Sequence, residues 1–332
     1  MLSVALLSRW HVHANDYARQ ALANPNIEIR AVWDENKTRG QGWANELNVP
    51  FYDNLSDVLA DSSIQAVIVA TPTSMHKEVM VQAALAGKHI FTEKVLAFTV
   101  SDCDEVFGAV DKSAVQFMIS LPRLTEPYYL YAQQVLDEGI LGTLNTIRCR
   151  VAHNGALPFE GHPHGWLPAH FFDPELCGGG ALIDLGAHPI YLTNRLAGPA
   201  KFVTSRLKSI LGNAVDDTSA VLVEYESGAL GIIEAGFSSN HCPFTLQLYG
   251  TKGTLLIENS VVRIKAESLG TDEWITPELP KGLPMAMEQW VHAIEQGVAP
   301  TITRTDARRL TAINQAALLS QKEGRLVDVS SL

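Results

Sequence analysis

Residues 1–22 read MLSVALLSRWHVHANDYARQAL, a short apolar strand running into a helix. That is how a dinucleotide-binding βαβ unit begins. In the helical part Ala14, Tyr17, Ala18, Ala21 and Leu22 recur at helical spacing, so they are expected to share the face that covers a sheet. Between strand and helix stands SRWHVH, where such a turn normally carries glycines. Glycine is favoured there because a side chain holds the backbone away from a pyrophosphate. The two halves of the stretch therefore fix a fold and demand an altered phosphate contact.

Downstream, apolar runs continue at regular intervals: IEIRAVW, AVIVAT, HIFTEK and VQFMIS, with helix-like segments between them. Strands alternating with helices predict a parallel sheet. Asp34 follows the second strand about 25 residues after the turn, where this fold sets an acid against the adenosine ribose. An acid there favours NAD over NADP, because a 2′-phosphate meets like charge, although Lys37 and Arg39 stand close by. Ligands of open α/β sheets bind beyond the carboxyl ends of the strands. Cofactor contacts are accordingly expected from Ser8, Arg9, Trp10 and His11 in the turn and from Asp34. Thr71, Pro72, Thr73 and His76 follow one later strand, and Glu93 and Lys94 end the next. At the glycine-less turn itself, the N-terminus of the helix that follows SRWHVH is expected to offer unpaired N–H groups and a positive dipole end to phosphate.

From about residue 145 the texture changes to strand-like runs with turn signals, among them TLNTIRCRVAH, SAVLVEYESGALGIIEAGF and FTLQLYGTKGTLLIEN. YESGAL and YGTKGTL read as hairpin turns. The last segment, RTDARRLTAINQAALLSQKEG, reads as an amphipathic helix with Thr305 or Asp306 as N-cap and Gly324 closing it. The expected architecture is α/β. A Rossmann parallel sheet occupies residues 1–121, and an α/β domain with a large open, mostly antiparallel sheet occupies 122–332, its final helix able to pack back on the first domain.

Composition narrows the partners. The 332 residues are 46% hydrophobic and carry 25 Lys+Arg against 36 Asp+Glu, a formal charge of −11. That balance argues against nucleic acid and anionic membranes and for a small molecule. The four cysteines are scattered, with no CxxC pair, so neither a disulfide framework nor a thiolate zinc site is implied. No apolar run approaches the roughly 18 residues of a membrane span, and SVALL is too short for a signal-peptide core. A cytoplasmic location is expected.

Chemistry concentrates in two further places. CGGGALIDLGAHPIYLTNRLAG sets Asp184 and His188 four residues apart, so they are expected to share one helix face. Just ahead, residues 152–180 crowd His153, His162, His164 and His170 with Trp166. Imidazoles ligate metals, but no pair there has regular helical spacing and the stretch is rich in Gly and Pro. The preferred reading is a polyol pocket, with imidazoles bonding hydroxyls, indole covering a sugar face, and no metal.

TPTSMH, AGKHIFTEK, GGGALIDLGAH and YGTKGTLLI together resemble the glucose-fructose oxidoreductase / inositol dehydrogenase / MocA family nearly end to end. The resemblance implies NAD(P)-dependent oxidation or reduction of sugars, polyols and related hydroxy compounds by a homodimer or homotetramer built on the open sheet. It implies that Lys94, Asp184 and His188 are catalytic, with His188 as the base that takes the hydroxyl proton. Substrate contacts are expected from Arg123, His153, His164, Trp166, Asp184 and His188. Two departures stand out: the glycine-less turn, and Val95 where the family has proline after Glu-Lys. The family also holds NAD-dependent redox glycosidases and non-catalytic NAD-binding regulators, and the trio does not separate a dehydrogenase from a glycosidase.

Overall fold

The computed structural model describes residues 1–332 as two compact units, Met1–Leu121 with Pro284–Arg308, and Pro122–Leu283 with Arg309–Leu332. Sequence reading left residues 284–308 in the second domain; they belong to the first unit, because α9 (Ala286–Gln296) packs on its strands. The contact is apolar. Trp290 of α9 is fully buried, its ring centroid 5.7 Å from that of Phe91.

The first unit holds a six-stranded parallel sheet of order β3-β2-β1-β4-β5-β6. Its strands are β1 (Leu2–Leu7), β2 (Ile27–Trp33), β3 (Phe51–Tyr52), β4 (Ala66–Val69), β5 (His89–Thr92) and β6 (Phe117–Ile119). The two-residue β3 has no run of its own in the sequence pattern and forms by pairing with Val32 and Trp33. Helix α1 (Ala14–Ala23) buries Ala14, Tyr17, Ala18 and Ala21, whereas Leu22, expected on the same face, is 65% exposed. Because the strands are parallel, Ser8, Asp34, Thr71 and Glu93, or residues next to them, emerge along one carboxyl edge.

The second unit is an eight-stranded sheet of order β13-β12-β11-β7-β10-β9-β8-β14, with β8 at Ala200–Lys208, β13 at Val261–Ala266 and β14 at Val327–Asp328, antiparallel except where β7 (Leu144–Ala152) runs parallel to β10 (Leu230–Gly236). The expected hairpins join β9 (Thr218–Tyr225) to β10 and β11 (Thr245–Gly250) to β12 (Gly253–Glu258). Helix α8 (Ala187–Ala197) covers β7 and β10 on one face. On the other face Leu222 and Leu230 remain 55% and 53% exposed, beside Phe202, Ile232 and Leu326 in one apolar groove. The last long helix, α10 (Arg304–Glu323), starts earlier than its expected cap. The cap is Thr303, which bonds reciprocally with Asp306, whose carboxylate accepts from Thr303 N at 2.7 Å. Gly324, at φ +68°, closes it as expected.

Candidate active site

At the first turn a serine stands in the backbone conformation that glycine usually takes. Ser8 has φ +74°, and its Oγ accepts from Trp10 N at 3.0 Å, which offsets part of the cost of that conformation. The turn then consumes its own donors. Ser8 N–H goes to Trp33 O, Arg9 N–H to Asp34 Oδ2, His11 N–H to Ala70 O and His13 N–H to His11 Nδ1. Ala14, Asp16 and Tyr17 N–H are also bonded, which leaves only Val12 and Asn15 with open N–H groups in residues 8–17. So the helix N-terminus offers fewer donors than its sequence suggests. Thr71 Oγ1, at the end of β4, is buried without a hydrogen-bond partner. These open valences and the Arg9 guanidinium suit a phosphate-bearing dinucleotide at this edge. Arg9 itself reaches Asn15 Oδ1 and Glu46 Oε1 and lies over the Trp43 ring, an arrangement that holds the cation near the turn.

Asp34 is buried and closed. Oδ2 accepts from Arg9 N (2.8 Å) and Arg39 Nε (2.9 Å), and Oδ1 from Asn36 N and Arg39 Nη2 (both 2.7 Å). Four donors fill the four acceptor positions of a carboxylate. Ribose hydroxyls therefore reach Asp34 only by displacing Arg39, a residue whose role five positions downstream the sequence did not disclose. Arg39 and Gly40 lie in α2 (Lys37–Leu47), and Gly40 makes the approach of this helix possible, because a Cβ there would lie 2.5 Å from the Asp34 Cβ. Pro72 caps and Thr73 opens α4 (Thr73–Leu85), one turn before His76. His76 is buried with Nε2 3.1 Å from Thr71 O and Nδ1 2.8 Å from Val95 O. Burial lowers its pKa, and both ring nitrogens face carbonyls, so it ties the end of β4 to the segment after β5.

Glu93 is the hub of this edge. Oε2 accepts from Tyr17 OH and from His13 Nδ1 (3.0 Å), with His11 Nδ1 at 3.4 Å, and Oε1 accepts from Lys94 N (2.8 Å). Lys94 Nζ lies 4.0 Å from Oε1. Burial alone pushes the Glu93 carboxyl up, but His11, His13 and Lys94 outweigh it and hold it well below the usual carboxylate range. The Lys94–Val95 peptide is cis. His13 and Tyr17 were not among the expected site residues; Tyr17 reads simply as helix core.

In the second unit Asp184 is not on the helix that carries His188. It lies in the turn before α8, whose N-cap is Gly186, and His188 occupies the first helical turn. The glycine run has a steric cause: a Cβ on Gly180 would sit 1.9 Å from Asp216 O. Asp216 in turn accepts from Gly180 N and Leu182 N, both at 2.9 Å, and thereby sets the Asp184 turn. Burial raises the Asp216 pKa against those two bonds. His188 Nδ1 lies 2.8 Å from Tyr191 OH, which accepts from Arg123 N at 3.2 Å. Arg123 is held over the Phe244 ring and donates to Tyr128 OH.

The histidine-rich stretch divides. His153 stacks on Phe237 and lies beside Trp166, whose Nε1 donates to Asn154 Oδ1. His162 stacks on Phe159, and His164 is exposed in the same loop. Histidines 153 and 162 thus engage separate aromatic partners.

Two family models match the chain. Residues 10–121 match an oxidoreductase family with an NAD-binding Rossmann fold, and 129–256 match the GFO/IDH/MocA C-terminal domain. Among curated relatives, scyllo-inositol 2-dehydrogenase (NAD(+)) of Bacillus subtilis is 25% identical over 92% of this chain and 90% of its own. The 1,5-anhydro-D-fructose reductase of Ensifer adhaerens is 24% identical over 98% and 99%. Among solved structures, GenD2 from gentamicin A biosynthesis, in complex with NAD, superposes with a TM-score of 0.82 at 25% identity, covering 98% of this chain and 96% of that one.

Proposed function

The chain belongs to the GFO/IDH/MocA oxidoreductase family, and from that premise we propose that it moves hydride between nicotinamide C4 and a hydroxyl- or carbonyl-bearing carbon of a sugar, polyol or sugar-derived acid. The observation that carries this reading is the occurrence of Lys94, Asp184 and His188 in a chain that matches the family in both domains. A bound nicotinamide supplies the hydride acceptor or donor. The protein's part is to orient the substrate oxygen, stabilise its charge and exchange its proton, for which one amine, one carboxylate and one imidazole suffice. Arg9 and the open N–H groups of Val12 and Asn15 would hold the pyrophosphate, and Thr71 would hold a neighbouring polar group. Asp34 and Glu35 outnumber the one guanidinium of Arg39 bonded to both, which favours NAD over NADP. His153, Trp166 and Arg123 supply hydroxyl and ring-face contacts for a polyol.

The test is a dye-linked NAD reduction screen across polyols, aldoses and sugar acids, run also with glycosides and product analysis. Turnover of a free polyol or aldose supports the reading. Reaction confined to glycosides, with net hydrolysis and no net NADH, replaces it with a redox glycosidase.

A further inference from the structure

Metal-ligating atoms converge at the first turn and not in the histidine-rich loop. His11, His13 and Glu93, all in the first unit, each offer one such atom, and the three lie within 4.8 Å of one another. Glu93 Oε2 is the shared point, 3.0 Å from His13 Nδ1 and 3.4 Å from His11 Nδ1. Ligands of a tetrahedral zinc-type ion, at bonds of about 2.0–2.1 Å, stand roughly 3.3 Å apart, so both spacings suit one ion between the rings and the oxygen. His11 Nδ1 faces a donor, His13 N–H at 3.2 Å, and an acceptor, Oε2 at 3.4 Å, and one ring nitrogen serves only one of the two. An ion gives that nitrogen and the carboxylate a common partner, in exchange for the His13 N–H bond. The carboxylate is already oriented, because Tyr17 OH donates to Oε2 and Lys94 N–H to Oε1. Glu93 and His11 are buried while the His13 side chain is 39% exposed, so the ligands are dry and an ion still has a way in.

We infer that His11, His13 and Glu93 bind one divalent zinc-type ion, which clamps the β1–α1 turn to the end of β5. Two imidazoles and a carboxylate are a ligand set that such ions favour, and the fourth position falls to water from the His13 side. On binding, His13 Nδ1 gives up its hydrogen, because a ligating nitrogen needs its lone pair. The clamp spans a strand: β4 lies between β1 and β5 in the sheet, so no ladder bond joins the two elements directly. The HVH that replaces the glycines of the turn thereby acquires a physical use, since it supplies both imidazoles. The site does not rest on the hydride-transfer reading and is measured without turnover.

The experiment strips the full-length protein with a chelator, exchanges it into chelator-free buffer, and titrates it with Zn2+ by calorimetry and with Co2+ by optical absorption. Saturation at one ion per chain is expected. X-ray absorption of the zinc-loaded protein should show only nitrogen and oxygen ligands at about 2.0–2.1 Å, with the outer scattering of two imidazoles. His11→Gln and His13→Gln should each weaken Zn2+ binding about tenfold or more. The double variant His162→Gln with His164→Gln, in the exposed loop, should keep the wild-type affinity and the wild-type absorption spectrum. The inference is overturned by a wild type that binds no ion saturably, by a sulfur ligand or a single imidazole in the shell, or by affinity lost in the loop variant and kept in the turn variants. If the turn variants fail to fold, the spectra of the wild type and the loop variant decide.

Discussion

At the scale of single side chains, substitutions of Lys94 and His188 test the proposed separation of catalysis from binding. Each Lys94→Ala and His188→Ala is expected to lower turnover about a hundredfold, with NAD affinity nearly unchanged, because interactions with the reacting oxygen strengthen in the transition state. Full activity of His188→Ala on any accepted substrate would take it out of the mechanism. Arg39→Ala tests a different contact. It uncovers Asp34, so the preference for NAD over NADP should rise by about tenfold in paired fluorescence titrations, and an unchanged ratio would show that Arg39 does not govern access to the carboxylate. Glu93→Gln carries a pH signature. The depressed carboxyl contributes stability that is present above its unfolded pKa and lost as pH falls through the lower folded value. The variant's deficit in denaturant unfolding should accordingly be largest near neutrality and shrink on acidification; a deficit constant with pH would assign it to packing. Asp34 and Glu93 were legible as acids at strand ends, and Arg9, His11 and Lys94 as residues of the same edge, but the bonds of Arg39, Tyr17 and Tyr191 were not. Arg39, Tyr17 and Tyr191 sit in helices, where arginine usually faces water and tyrosine usually fills core, and only the fold brings their polar ends to a carboxylate or an imidazole.

At the scale of elements, the apolar strand runs and the glycine-marked hairpins were readable because each carries its own period and turn chemistry. The two-residue β3 was not, since its pairing with β2 is a tertiary event with no local pattern. The i,i+4 spacing of Asp184 and His188 misled for a related reason: spacing constrains a face only after the helix begins, and Gly186 delays that start. The run of glycines before it was legible as unusual, and Asp216 explains it. Gly180→Ala drives a Cβ into the Asp216 backbone, so it should cost about 3 kcal/mol in denaturant unfolding. Gly161→Ala, at φ +77° with nothing near the added Cβ, is the control for backbone conformation alone. If the two variants lose equal stability, close approach at Gly180 is not what the run protects.

For the whole molecule, the apolar groove with Leu222 and Leu230 on the uncovered face of the second sheet favours isologous pairing of two copies. A dimer or tetramer is expected in sedimentation, and Leu222→Glu with Leu230→Glu should shift it toward monomer; a wild-type monomer at micromolar concentration would contradict this. The charge of −11 resists nonspecific association, so such pairing must come from shape and apolar area. The passage of Pro284–Arg308 back into the first unit has a consequence for biosynthesis. During translation residues 1–121 are made before 122–283, but the core they form is not closed until Trp290 arrives beside Phe91, after Pro122–Leu283 has been made. The nascent Rossmann sheet must therefore wait, with an apolar flank exposed, while the second sheet is being made. That interval, more than the finished fold, is when the sheet's apolar flank is open to aggregation.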